Sequence, residues 1–142
     1  MNFRKCLKFG EKYQHELIKV LKPTNYKMME GYFKEYDLII DDILPIYYEV
    51  KADRYAYKFN QICIEFECNN KPSGIKTTTA DYYAYFVIKP NDLYDLYIIP
   101  VIDIKEIINN RKFADIKQGG DRNASKFYII DAPLFSNCKF NL

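Results

Sequence analysis

The chain has 142 residues, of which 49% are hydrophobic and 28% are charged. This length and composition favour one domain spanning residues 1–142, and they exclude disordered and collagen-like chains. The formal net charge is only +2, but residues 1–34 carry a net charge of +5 and residues 35–70 a net charge of −5. An acidic middle segment suits a cation site, although an ordinary solvated face gives similar sums, and charge alone favours the solvated face.

The few cysteines and histidines restrict the chemistry. Four cysteines include no CxxC pair, and His15 is the single histidine, which argues against structural zinc and against hydrolases that depend on histidine. No apolar run reaches the ~18 residues that cross a bilayer, and the first residues lack the apolar stretch of a signal peptide. We expect an intracellular protein that is neither secreted nor membrane-bound, with reduced thiols and chemistry based on carboxylates, Lys or Tyr.

The hydrophobic pattern predicts alternating helices and strands. In chain order, the predicted elements are a helix over 11–22, strands over 36–40, 46–52 and 62–68, a short helix over 77–83 feeding a strand through 88, a strand over 96–101, a helix from 104 to about 111 and a strand over 126–130. The strands on either side of the Asp41-Asp42 turn read as a hairpin. Together these elements predict an α/β (α+β) fold with a mixed central sheet flanked by helices.

The predicted hairpin carries the most informative polar residues. Asp37 opens its first strand, and Glu49, Lys51 and Asp53 alternate along its second strand, so these three share one face. Antiparallel pairing can bring Asp37 beside Glu49, where two carboxylates can share a hard cation such as Mg²⁺ and activate a water for phosphodiester hydrolysis. Lys51 could orient that water, help to deprotonate it or neutralise developing charge, and these roles stay open. The alternative is a surface hairpin with a Glu–Lys pair.

This arrangement resembles the D…ExK motif of the PD-(D/E)XK nuclease superfamily, whose core is a helix, a hairpin, further strands and a second helix. The Gly-Gly-x-x-Asn-x-Ser loop at 119–125 is similar to loops of phage and viral members of this nuclease group, and the closest likeness is to archaeal-type Holliday-junction resolvases. Three segments carry it, in the same order and spacing: Gly-Glu-Lys-Tyr-Gln-His-Glu-Leu at 10–17, Tyr-Asp-Leu at 36–38 and Tyr-Glu-Val-Lys at 48–51. The resemblance covers roughly the first half of the chain and implies a restriction-endonuclease-like fold.

The resemblance also implies site residues and ligands. Asp37, Glu49 and Val50 would hold Mg²⁺, with Mn²⁺ as a substitute, and Lys51 would be the catalytic lysine. DNA would be the substrate, with branched DNA as one candidate, and a homodimer would cut two strands symmetrically. The glycine-containing loop over 117–126 lacks the strand-to-helix context of a P-loop, so no nucleotide cofactor is expected.

The predicted helix departs from the family pattern. Gln14 stands where those resolvases have a metal-associated glutamate. Either Gln14 acts through a water, or Glu11 or Glu16 takes this part. Because Glu16 is about 200° further round the helix, geometry favours Gln14 and leaves Glu16 as the acid to test.

Other polar residues could lie around the metal ligands or contact DNA. Glu65 and Glu67 share one strand face and, if that strand neighbours the hairpin, could extend the acidic site together with Asp53; a solvated face explains them equally well. Two polar loops could contact DNA phosphates, although ordinary surface loops have the same composition. Their candidate DNA-binding residues are Lys71, Ser73, Lys76 and Thr77 in the first loop and Lys117, Arg122, Asn123 and Lys126 in the second.

The sequence therefore predicts a Mg²⁺-dependent DNA endonuclease that acts in recombination, repair or viral genome processing. The main alternative is a non-catalytic module that keeps the nuclease fold and binds nucleic acid or protein, which Gln14 and the modest net charge favour. A restriction-like enzyme that reads bases is disfavoured, because the chain has only four arginines with which to contact guanine.

Overall fold

A computed structural model describes residues 3–31 and 35–142, with side chains from residue 9 onward. In chain order the helices and strands are α1 Phe3–Leu21, β1 Tyr26–Met28, β2 Leu38–Ile40, β3 Ile46–Asp53, α2 Ala56–Phe59, β4 Gln61–Cys68, β5 Lys71–Pro72, β6 Tyr82–Ile88, β7 Tyr94–Pro100, α3 Val101–Asn109, β8 Asp115–Gly119 and β9 Ser125–Asp131. Each helix in these ranges is too short or too polar to cross a membrane.

The strands form two sheets. The larger sheet has the order β1-β2-β3-β6-β7 and is mixed, because β3 and β6 are parallel while the other pairs are antiparallel. The smaller sheet has the order β5-β4-β9-β8 and is antiparallel throughout. The predicted α/β class with a mixed central sheet flanked by helices is confirmed. The second sheet was not predicted: β6 occupies the edge of β3, so β4 joins the smaller sheet instead.

The two faces of the larger sheet are covered by different elements. One face packs against α1, where Tyr13 and Leu17 meet Val50 and Phe86 in one apolar cluster. The other face packs against the smaller sheet, and Tyr83 belongs to that second cluster. Because side chains alternate along a strand, residues 49, 51 and 53 of β3 point to the face opposite α1.

The predicted hairpin is confirmed, with its register running from Leu38 opposite Tyr48 to Ile40 opposite Ile46. Helix α1 begins eight residues earlier than predicted, and α3 begins at Val101 instead of residue 104.

The predicted short helix over 77–83 is wrong. Residues 82 and 83 belong to β6, and 77–81 form an irregular segment. The Thr79 N–H donates to the Glu35 carbonyl at 2.9 Å and the Asp81 N–H donates to the Tyr47 carbonyl at 2.8 Å. These bonds hold the segment extended along the hairpin, and its three β-branched threonines favour that conformation.

Candidate active site

The hairpin places the Asp37 carboxylate against β3. The pairing of Leu38 with Tyr48 puts Asp37, one position before β2, opposite Glu49. The Asp37 Oδ2 accepts a hydrogen bond from the Val50 N–H at 2.8 Å, and the Asp37 N–H donates to the Tyr48 carbonyl at 2.8 Å. Both the backbone and the side chain of Asp37 are thus fixed on the second strand of the hairpin.

Glu49 is only 7% exposed and has two polar neighbours. Its Oε1 lies 3.1 Å from the Lys51 Nζ, and its Oε2 lies 3.4 Å from the Thr78 hydroxyl. The same hydroxyl lies 2.8 Å from the carbonyl oxygen of Glu35, which is the shorter of the two contacts. Thr78 therefore connects Glu49 with the chain that leads into Asp37.

The electrostatics of this cluster follow from its burial. Burial raises the pKa of Asp37 and of Glu49, while the Lys51 charge opposes the rise for both. Burial lowers the pKa of Lys51, but the charges of Glu49 and Asp37, with that of Tyr83 when it is ionised, more than compensate, so the pKa of Lys51 is raised overall. Two poorly hydrated acids share a single ammonium group, and a divalent cation would favour their ionised forms.

The oxygen donors of this cluster fit Mg²⁺. Asp37 keeps one carboxylate oxygen beyond its bond to Val50, and Glu49 offers a second carboxylate. Val50 has an apolar side chain, so only its carbonyl could contribute, and this carbonyl points to the same strand edge as its N–H, towards Asp37. The described side chains form no group of three or more His, Cys, Asp or Glu that could hold a metal. Two carboxylates with water and phosphate oxygens are a usual Mg²⁺ set.

A cavity of about 540 Å³ opens between the two sheets beside this cluster. We call it the inter-sheet cavity. Lys51, Asp53, Tyr83 and Tyr85 line it from the larger sheet. The smaller sheet and α2 complete its wall, with Phe59, Gln61, Cys63, Glu65, Lys117, Gln118, Gly119, Gly120, Phe127 and Ile129 among the lining residues.

Tyr83 is a site residue that the sequence reasoning missed. It pairs with Glu49 across the β3–β6 boundary, so Asp37, Glu49 and Tyr83 form one row across three strands. Within the described residues, the Tyr83 hydroxyl is the buried side-chain polar atom without a hydrogen-bond partner. Burial raises its pKa, so the phenol stays protonated at neutral pH. A run of tyrosines reads as sheet packing, and only the register distinguishes Tyr83 from its neighbours.

Glu65, Asp53 and Glu67, the three acids that could extend the acidic site, have different surroundings. Glu65 lines the inter-sheet cavity from the smaller sheet and accepts a hydrogen bond from the Ser73 hydroxyl at 3.1 Å. Asp53 also lines it, but its oxygens accept the Tyr85 O–H at 2.6 Å and the N–H groups of residues 55 and 56. Glu67 lies in an ion pair with Lys126 at 2.9 Å. Of the three, Glu65 has its charge close enough to Tyr83 to raise the pKa of that phenol.

Among the described residues, the recorded hydrogen bonds and ion pairs of Asp37, Glu49 and Lys51 do not include Gln14 or Glu16. Helix α1, which carries Gln14, packs on the opposite face of the larger sheet. Glu16 accepts a hydrogen bond from the Tyr94 hydroxyl at 3.2 Å, and Tyr94 pairs with Ile88 at the far end of β6. Ile88 lies five positions after Tyr83, or roughly 16 Å along the strand.

The candidate DNA-binding residues differ in how freely they could reach a phosphate. Ser73 is buried and donates to Glu65, Thr77 donates to the Gly74 carbonyl at 3.3 Å, and Lys126 pairs with Glu67. The exposed residues of the set are Lys71, Lys76, Lys117, Arg122 and Asn123. Of these, Lys117 lines the inter-sheet cavity.

No protein-family model matches this chain, and no curated protein matches it. Among solved structures, the chain is similar to Archaeoglobus fulgidus Hjc, a Holliday junction resolvase from an archaeal hyperthermophile. The similarity covers 94% of this chain and 91% of that one, with 12% sequence identity and a TM-score of 0.48. Similarity at this level leaves the function to be argued from the site.

Proposed function

We propose that this protein is a Mg²⁺-dependent endonuclease that hydrolyses DNA phosphodiester bonds, with branched DNA as the first substrate to test. The observation that supports this best is the row of Asp37, Glu49 and Tyr83, with Lys51 next to it, beside an open cavity. Hydrolysis of a phosphodiester needs neutralisation of the phosphate charge, a positioned nucleophile and room for a long polyanion. The charged groups on this face of the sheet could meet the first two needs, and the open cavity could meet the third.

The two carboxylates have the role of holding the cation. Asp37 and Glu49 would bind Mg²⁺ with the Val50 carbonyl as a third protein oxygen. The bound ion would polarise the phosphate and lower the pKa of a coordinated water. The hydrogen bond from the Val50 N–H keeps Asp37 in place, and Thr78 supports Glu49 from the other side.

Lys51 and Tyr83 have the role of meeting the phosphate. The Lys51 ammonium is held 3.1 Å from Glu49 while 40% of its side chain stays exposed, so it can donate to a phosphate oxygen and neutralise charge that develops there. The Tyr83 hydroxyl is buried without a partner and can donate a further hydrogen bond on the same face. Among the three roles left open by the sequence, this geometry supports electrostatic stabilisation by Lys51.

The test is cleavage of labelled four-way-junction, flap, duplex and single-stranded DNA with Mg²⁺, Mn²⁺ or EDTA. We expect metal-dependent cutting that falls at least about 100-fold in Glu49→Gln and Lys51→Ala, while binding persists. Glu106→Gln and Lys105→Ala, on the exposed side of α3, are matched charge controls and should cut like the wild type.

The second candidate is a binding module that keeps the fold without catalysis. It is favoured by Gln14, because an amide stands at the helix position where the resolvases of the resemblance have a metal-associated glutamate. Wild-type protein that binds these DNAs but cuts none of them with either metal would replace the nuclease proposal with this one.

A further inference from the structure

We infer that the inter-sheet cavity binds the base of an unpaired nucleotide next to the phosphate held at Lys51. The inference rests on the proposed function for the nature of the ligand, a DNA strand. It goes beyond that function by assigning the cavity a preference for DNA that has an unpaired base beside the cleavage position.

The size and walls of the cavity suit a nucleobase. Its volume of about 540 Å³ lies within the roughly 300–1,000 Å³ of small-molecule sites. Aromatic rings line both sides, with Tyr83 and Tyr85 on the larger sheet and Phe127 on the smaller one. Bases stack on aromatic side chains regardless of sequence, because every base has a π-face.

Two aromatic side chains of the lining are exposed to an unusual degree. Tyr55, just before α2, is 71% exposed and Phe59, at the end of α2, is 66% exposed. Exposed apolar side chains that lie together around a cavity often mark a binding surface. Their placement on the cavity lining gives an entering base two rings on which to stack.

The polar groups of the cavity suit the edge of an unpaired base. The Tyr85 hydroxyl donates to Asp53 at 2.6 Å, whereas the Tyr83 hydroxyl is buried and unpartnered among the described residues. A phenol both donates and accepts, so the oxygen can accept from the Watson–Crick edge of a base while its single proton is donated towards the phosphate. That edge is free only when the nucleotide is unpaired or extruded from the duplex.

Two lysines on the cavity lining indicate how a DNA strand would lie across the cavity. Lys51 stands at the end of the cavity that adjoins Asp37 and Glu49, and Lys117 lines it from the smaller sheet. Two ammonium groups can hold successive phosphates while the base between them points inward. A base in the cavity therefore has a neighbouring phosphate beside the carboxylates.

The test compares the affinity for two DNAs in EDTA, so that no cleavage is needed. Both are duplexes with one unpaired position, which carries a base in one DNA and an abasic deoxyribose in the other. We expect the wild type to bind the abasic DNA about tenfold more weakly. This preference should disappear in a Tyr55→Ala/Phe59→Ala variant and persist in Tyr57→Ala, since Tyr57 is an exposed aromatic of the same helix that does not line the cavity.

Equal affinity of the wild type for the two DNAs, absence of binding to both, or a preference unchanged in Tyr55→Ala/Phe59→Ala would each overturn the inference. A free deoxynucleoside monophosphate that competes as well as the bulged DNA would also overturn it, because the cavity would then be a mononucleotide site. Cleavage with Mg²⁺ is scored separately. If the protein cuts DNA but does not prefer the unpaired base, the proposed function stands and the inference fails. If it prefers the unpaired base but does not cut, the inference stands and the proposed function fails.

Discussion

At the scale of single residues, the chemistry of Asp37 and Glu49 depends on how little water reaches them. Both carboxyl groups have raised pKa values because burial disfavours their ionised forms. Lys51 supplies one positive charge for two acids. A divalent cation would remove this imbalance, which makes metal binding measurable without any substrate.

Metal binding should stabilise the folded protein. At about 100 times its Kd, Mg²⁺ should raise the free energy of unfolding by about 2.7 kcal/mol, which a thermal melt in MgCl₂ and in EDTA would detect. Asp37→Asn should remove this increase without lowering the melting temperature in EDTA, since an amide oxygen can still accept from the Val50 N–H. Glu106→Gln should respond to Mg²⁺ like the wild type, and a full response of Asp37→Asn would contradict the proposed ligand set.

Thr78 is a positioning residue, since its hydroxyl connects Glu49 with the Glu35 carbonyl and accepts from the Ala80 N–H at 3.1 Å. Thr78→Val should lower kcat about tenfold with little change in KM and cost about 1–2 kcal/mol of stability. Thr78→Ser should restore kcat because it restores the hydroxyl. The exposed Thr79→Val is the matched control. A KM effect in place of a kcat effect would argue for substrate contact.

The sequence predicted part of this site because hairpin geometry is local. Period-two alternation places Glu49 and Lys51 on one face, and a short turn brings Asp37 back beside them. Thr78 and Tyr83 could not be predicted in the same way. Their positions depend on the parallel pairing of β6 with β3, and parallel pairs join segments distant in the chain with no local turn signal.

At the scale of elements, the turn over 74–76 packs against β4 only because residue 74 is glycine. Gly74 has a φ of +53°, and a Cβ there would collide with the Glu65 carbonyl oxygen. Its own carbonyl accepts the N–H groups of Thr77 and Thr78 at 3.1 and 2.9 Å. The glycine therefore holds together the strand that carries Glu65 and the segment that carries Thr78.

Gly74→Ala should lower the free energy of unfolding by about 2 kcal/mol or more, which for this length corresponds to a fall in Tm of roughly 6 °C or more. Gly10→Ala is the matched control. Gly10 lies inside α1, and, apart from its own stretch of helix, no heavy atom of the described residues comes within 4 Å of the place that an alanine methyl group would take, so alanine there should stabilise by about 0.5–1 kcal/mol. A Gly74→Ala protein that melts with the wild type would show that the turn tolerates a side chain.

The sequence pattern predicts best those elements in which one face is buried and the other is more exposed. Strand β4 was found from the alternation of Ile62, Ile64 and Phe66 with polar residues, and all three are buried. Its sheet partner was not predictable, because alternation records which face is buried but not which strand lies alongside. Strand β8 was missed because its residues are almost all exposed and show no alternation.

At the scale of the whole molecule, the proposed function would require cations on other elements, in addition to Lys51, to hold a DNA strand at the acidic hairpin. Lys117 is exposed and lines the inter-sheet cavity, whereas Lys126 is committed to Glu67 at 2.9 Å. The smaller sheet would therefore supply an anchor for the backbone while the larger sheet supplies the carboxylates.

Lys117→Ala should weaken DNA binding and reduce the slope of log Kd against log salt concentration by about 0.9, the value for one phosphate contact. Lys126→Ala should change the slope by less than half as much, because its charge is already compensated by Glu67. Salt titrations followed by fluorescence anisotropy measure both slopes. Equal changes in the two variants would place the strand over the β9 side of the smaller sheet instead.

The separation of the two sheets along the chain has a consequence for folding. Asp37 and Val50, which hydrogen bond to each other, are 13 residues apart, so the carboxylate pair needs only a local hairpin to form. Tyr83 pairs with Glu49 across a loop of the chain that contains β4 and β5, and these two strands belong to the smaller sheet. Closing that long loop is the slower event because its entropy cost comes before its contacts. The carboxylate pair thus depends on contacts that are local in sequence, whereas the cavity depends on contacts between segments that lie far apart in the chain.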